Sequence, residues 1–373
     1  MSRLGSALAL AALSCTACVA PDTVALSSTP LLRDGGCPAR MASLVAKRAL
    51  CGCSTLNFNP NLTTDGFDSR VATWAPGAGR GDVGVNAWLR FPNELAVGGT
   101  LEVGGPLAGD RPGIDVGTRL TVAKDLRVGG DMNRPSSVVV VSGRADIGGN
   151  VAVSSLDVAG TLTMPATAST NDTKVTAGAT ETAEVSVAAP CLCDPSAGID
   201  VAAIVDSHRE DNDDAANALS PAVFADFSGD ATIDLPRGLF FFDGVRMAAG
   251  GTLTIRATGR AVVFVRGDQS PLKLVVAPAG ELDLFVSGDL FLAAGAGDPE
   301  RPRALRVYNA GASTIDLTSF SGALYAPASA LTSSTSQSLF GAFVVGSLIG
   351  GWGGELKIHY DEALASVGDA CPP

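Results

Sequence analysis

The sequence predicts an all-β chain, a parallel right-handed β-solenoid or β-helix with one short capping or connecting helix. Three observations lead there. Segments repeat without gaps, apolar and polar residues alternate inside each repeat, and the 373 residues include 44 Gly but only 14 Phe, 3 Tyr and 3 Trp. Alternation with period two means strands with one buried face, and glycine pairs mark corners where the chain turns. A coil of short strands stacked on identical coils buries a narrow core that small aliphatic residues fill. A β-sandwich is the competing architecture, since short strands and Gly-rich turns also suit it.

In the first half, Leu95-Ala-Val-Gly-Gly-Thr-Leu-Glu-Val aligns with Leu120-Thr-Val-Ala-Lys-Asp-Leu-Arg-Val and with Ala145-Asp-Ile-Gly-Gly-Asn-Val-Ala-Val. The offset is 25 residues both times. The alignment places Val97, Val122 and Ile147 in one column, Val103, Val128 and Val153 in a second, and Leu89, Ile114 and Val139 in a third. In the second half, Arg260-Ala-Val-Val-Phe-Val repeats as Glu281-Leu-Asp-Leu-Phe-Val, Leu282 aligns with Leu305, and Ser321-Gly-Ala aligns with Phe340-Gly-Ala. Between the halves the stripe Val201, Ile204, Val205, His208, Ala215 and Leu219 predicts a helix opened by Asp194-Pro195, placed to cap an open end of the stack. The organisation read from these signals is a lipoprotein signal peptide over 1–18, a cysteine-containing stalk over 19–70 and a first solenoid over 71–190 with a Thr/Ala-rich end. A helical connector over 191–220 and a second solenoid over 221–373 complete it.

Met1-Ser-Arg followed by the apolar run Leu4–Leu13 is signal-peptide length and too short to span a bilayer. Cys15 and Cys18 each follow small residues in the manner of a bacterial lipobox. Lipidation at Cys18 leaves six further cysteines, an even set suited to disulfides in an oxidising compartment, whereas Cys15 leaves seven. Cys18 is therefore the expected anchor and Cys15 the alternative. Cys51 and Cys53 stand 140 positions from Cys191 and Cys193, and disulfides between the two Cys-x-Cys pairs are favoured over zinc, whose usual spacing is Cys-x-x-Cys. Cys37 and Cys371 remain as the third candidate pair by elimination.

A net charge of −12 argues against a nucleic-acid partner, whose phosphates demand a basic footprint. Two histidines, His208 and His359, leave little for acid–base or metal chemistry. Asp211, Asp213 and Asp214 are weak cation candidates: their segment lacks the glycine of a calcium loop, and a wet helix face explains the carboxylates. His359 in Ile358-His-Tyr-Asp-Glu has no assignable nucleophile, and closure of the last coil is its expected role. Trp74, Trp88 and Trp352 are available for stacking on sugars. No catalytic residue, metal or cofactor is assigned.

From Cys193 onward the sequence resembles a bacterial exported β-solenoid domain family of unknown function. That family is found in envelope lipoproteins and pilus-associated accessory proteins. The likeness rests on Ile199-Asp-Val-Ala-Ala-Ile-Val-Asp-Ser-His-Arg, Gly322-Ala-Leu-Tyr-Ala-Pro-Ala-Ser-Ala-Leu, Phe340-Gly-Ala-Phe-Val-Val-Gly-Ser and Ile358-His-Tyr-Asp-Glu-Ala-Leu, over about residues 190–365. It implies a periplasmic or surface protein with a structural or adhesive role, and it transfers no catalytic residue. The expected partners are the membrane through the lipid, other envelope or pilus proteins, and further copies of the chain. The alternative is a β-helix that binds or cleaves polysaccharide.

Overall fold

A computed structural model describes residues 23–25, 41, 45–76, 79–104, 113–196, 198–247, 251–293, 295–333, 335–350 and 354–367. The fold is a parallel β-solenoid of about 13 turns. Every strand pairing among the described residues is parallel, and a three-sided coil climbs by one strand spacing per turn. One inward column makes the stack visible. It runs Phe240, Val263, Leu284, Val307, Leu324 and Phe343, continues through Leu50, Val83, Leu101, Leu126, Ala145 and Leu162, and ends at Thr180.

That order is not chain order. The second half forms the lower part of the stack, and its last turn carries the first turn of the first half. Leu50 sits on Phe343, Leu56 on Leu348, and Asn61–Phe67 on Glu355–Asp361. The two regions read from the sequence as separate solenoids are thus one continuous stack with a chain break at the junction. Leu50–Phe67, read as part of a stalk, is the coil that makes the join, and two of its three strands have three residues or fewer, too short to show a period. The polypeptide leaves the top after Lys174–Thr182 and returns along the outside to begin the bottom coil at Ala231.

The registers expected in the second half are all present: Arg260 on Glu281, Leu282 on Leu305, Ser321 on Phe340. In the first half the 25-residue offset holds for one turn only, with Leu95 on Leu120 and Leu101 on Leu126. The next turn is 19 residues, so Leu120 lies on Val139 and Leu126 on Ala145. The column joining Val122 to Ile147 is therefore corrected: Val122 pairs Val141, and Ile147 pairs Val128. The six-residue slip equals one side of the coil. Each side carries the same alternation, so sequence similarity cannot tell neighbouring sides apart.

Corners repeat a polar device. Asp82 Oδ1 accepts from Thr100 N at 2.7 Å, Asp125 Oδ1 from Arg144 N at 2.9 Å, and Asp131 Oδ1 from Asn150 N at 2.6 Å. Gly99, Gly143 and Gly149 precede these three donors, and a Cβ at any of them would overlap the accepting carboxylate. Part of the glycine excess is thus room for an aspartate of the coil below.

The helix is shorter and elsewhere than expected. It spans Val201–Ser207 and is N-capped by Asp200, whose carboxylate accepts from Ala203 N at 3.0 Å, not by Asp194. It lies against the flank of Glu281–Val286 instead of over an end. The bottom is closed by other means. Leu219 and Phe224 enter the core, Phe224 meets Phe242 edge-on at 5.2 Å, and Thr23–Ala25 pairs with Thr232–Asp234.

Candidate functional site

The most elaborated region is the flank where the returning segment, residues 183–230, crosses the stack. Strand alternation puts a second column one residue beyond the inward one, facing out. In the lower half it reads Phe241, Phe264, Phe285, Tyr308, Tyr325 and Val344. These are apolar side chains on an outer face, yet all are buried. Phe264 stacks on Phe285 at 5.4 Å, and Phe285 on Tyr308 at 4.4 Å. The returning strap supplies the cover through Cys191, Ile199, Val201 and Val205, and His208 lays its ring on Phe264 at 4.1 Å.

The strap is held at both ends. At the junction, disulfides join Cys51 to Cys191 and Cys53 to Cys193, each with Cα atoms 5.6 Å apart. The backbone of Cys191 exchanges hydrogen bonds with the Asn86 amide at 2.8 and 3.0 Å, and Arg48 donates to Pro190 O at 2.7 Å. Gly84 lies under Cys191, and a Cβ there would meet the sulfur at 2.9 Å. At the bottom, Asp213 Oδ2 accepts from Leu239 N at 2.9 Å, and the Asp214 carboxylate accepts from Phe241 N at 3.2 Å. These aspartates satisfy the open edge of the lowest strand, which also explains why the helix ends before them. Burial lifts the Asp214 pKa to about 6, against the opposing pull of the Phe241 N–H. Asp211 is exposed. Among the described residues no three His, Cys, Asp or Glu side chains gather as metal ligands.

Below the strap, Asp283 and Arg306 form a fully buried pair at 2.5 Å, and Arg306 also reaches Glu281 at 3.0 Å. Burial alone would draw the guanidinium pKa down, but Asp283 holds it above its ordinary value.

A second clasp lies on another side at the same level. Four consecutive residues of the last strand and turn each bond the first half of the chain. His359 Nδ1 lies 2.6 Å from Asp65 Oδ1, and the Tyr360 hydroxyl donates to Ala46 O at 2.8 Å. Asp361 accepts from Ser69 N and Oγ at 3.0 and 2.7 Å, and Glu362 accepts from Arg80 N at 3.1 Å. Trp74 donates to Asp65 at 3.2 Å and rests on the His359 ring at 4.2 Å. Burial raises the Asp361 pKa against its three hydrogen bonds. His359 thus seals the junction, and the Ser69 hydroxyl is committed to Asp361. Trp74 is spent on this contact and Trp88 is half-buried.

The disulfide candidates Cys51, Cys53, Cys191 and Cys193 come together as the spacing suggested. Cys15, Cys18, Cys37, Cys371 and Trp352 lie outside the described residues. What the sequence reading missed is the outer aromatic column. Its signal was present in Phe264, Phe285 and Tyr308, which fall at one position of the repeat, the two phenylalanines with apolar neighbours on both sides and Tyr308 between Val307 and Asn309.

No curated protein and no solved structure matches the chain. Residues 192–367, from the strap beside Cys193 to the turn after the clasp, match the family described as a domain of unknown function (DUF7305).

Proposed function

We propose that the protein is a non-catalytic scaffold of the bacterial envelope, exported, lipid-anchored at Cys18, and used for surface assembly or adhesion. The observation that carries this reading is the strap. Two disulfides lock it over an aromatic face, which suits an oxidising compartment and a body that must stay rigid. The polar side chains at the junction are committed to joining the two halves, and this supports a mechanical role over a chemical one. The lipid anchor and the envelope partners rest on the leader sequence and on the resemblance to exported solenoid domains.

Metabolic labelling with palmitate tests the anchor: label is expected to vanish in Cys18→Ser, and loss only in Cys15→Ser moves the anchor to Cys15. Incubation with plant and bacterial polysaccharides tests the role. New reducing ends or unsaturated sugars would defeat the scaffold reading.

A further inference from the structure

The two ends of the stack differ. The bottom is closed by Leu219, Phe224 and the strand Thr23–Ala25. At the top, Lys174–Thr182 pairs only downward, with Ser155–Met164, and no described strand covers its other edge. Nearly all of its nine residues are exposed, and Val175, in the column of buried Leu156, keeps 36% exposure. Among the described residues nothing pairs with this row of backbone donors and acceptors at the end of the core, and such a row is a template for another strand.

The sequence of this strand is close to self-complementary. Antiparallel pairing of two copies with the two-fold axis between Ala177 and Gly178 sets Lys174 opposite Glu181, Val175 opposite Thr180, and Thr176 opposite Ala179. The same register keeps faces together. The segment turns a corner of the coil between Ala177 and Ala179, so Val175 and Thr180 both lie in inward columns, over Leu156 and Leu162, while Lys174 and Glu181 lie over Ser155 and Thr163 in outward ones. Cross-strand pairs of opposite charge on one face stabilise antiparallel strands, and a two-fold axis makes each such pair twice.

We infer that the top coil is the interface of a head-to-head dimer, in which Lys174–Thr182 of two copies pair as antiparallel strands and join two solenoids end to end. A two-fold interface uses the top edge of each copy once, so the assembly stops at two chains. The pairing stands on the strand's own sequence and does not depend on the envelope reading.

Sedimentation of the purified protein over a concentration series tests it. A reversible dimer is expected. Lys174→Glu and Glu181→Lys each create two like-charge contacts and are expected to weaken dimerisation about tenfold or more. The double variant Lys174→Glu/Glu181→Lys restores both pairs and is expected to recover the dimer, with Arg144, a cation two coils below Glu181, left unchanged throughout. Thermal unfolding checks that each variant folds. A monomer at every concentration, growth beyond two chains, a dimer indifferent to the single changes, or a folded double variant that stays monomeric would each overturn the inference.

Discussion

The outward column next to the core tells two stories along one axis. Below the junction it is Phe241, Phe264, Phe285, Tyr308 and Tyr325, buried under the strap. Above it, the same column continues as Cys51, Gly84, Glu102, Arg127, Asp146 and Thr163. Arg127 lies between Glu102 at 3.2 Å and Asp146 at 3.8 Å, half in solvent. The backbone is the same in both regions, and the difference is cover. Where the returning chain lies on the column its side chains are aromatic, and from Glu102 to Asp146 they are partly exposed and form a ladder of opposite charge. The disulfides sit at the boundary. Glycine at position 84 lets the strap approach there, so the change from one regime to the other occurs within about one coil.

Removing the strap's tether is the strongest way to break this contrast. The two disulfides close nearly the same 140-residue loop, so either alone supplies most of the constraint. Cys51→Ser or Cys53→Ser alone is expected to cost little beyond local packing. The pair together is expected to cost about 5 kcal/mol on the loop-entropy account and to speed hydrogen exchange across residues 191–214. Denaturant unfolding of the two singles and the double decides it; additive losses would show that the disulfides act independently.

Next in size are the buried groups of the lower half. Arg306→Met leaves Asp283 charged and unpaired and is expected to cost about 3–5 kcal/mol, most of it recovered in Arg306→Met/Asp283→Leu. Phe285→Ala opens a cavity between its neighbours in the stacked column and is expected to cost about 3–5 kcal/mol. Arg127→Ala in the uncovered half is expected to cost less than about 1 kcal/mol, because exposed ion pairs are weak. Equal losses at Phe285 and Arg127 in the same unfolding series would remove the distinction between the regions.

Asp214 gives a smaller and pH-dependent effect. Its folded pKa of about 6 stands above the ordinary 3.8, so the folded state holds a proton that the unfolded chain has released. Its contribution favours folding below pH 4, is lost as pH rises from about 4 to 6, and is flat above that. Asp214→Asn keeps an acceptor for Phe241 N and is expected to flatten this part of the stability profile and to hold or slightly raise the melting temperature at pH 7. A thermal series from pH 4 to 7 reads the difference, and a profile unchanged by the substitution would assign the slope to other groups.

Much of the coil was legible in the residues. The second-half registers could be read directly because Phe-Val-Arg-Gly-Asp and Phe-Val-Ser-Gly-Asp end their strands with distinctive corners. The 25-residue register survived for one turn and failed at the next, because Leu-x-Val recurs on every side and nothing local marks which side it belongs to. The cysteine pairing was suggested by parity and spacing. The clasp at His359–Glu362 stood out as a motif, but its partners Asp65, Ala46, Ser69 and Arg80 lie about 300 residues away, and no spacing rule links them.

Local alternation, corner glycines and paired cysteines are properties of neighbouring residues, so the sequence by itself determined a parallel solenoid with an aliphatic core and a disulfide-pinned connector. Stacking order is a contact between the last coil of one half and the first coil of the other, and each offers the same repeating edge to any other coil. Only the tertiary structure decided that the second half lies below the first, that the connector becomes a strap over an aromatic face, and that Lys174–Thr182 is the uppermost strand among the described residues.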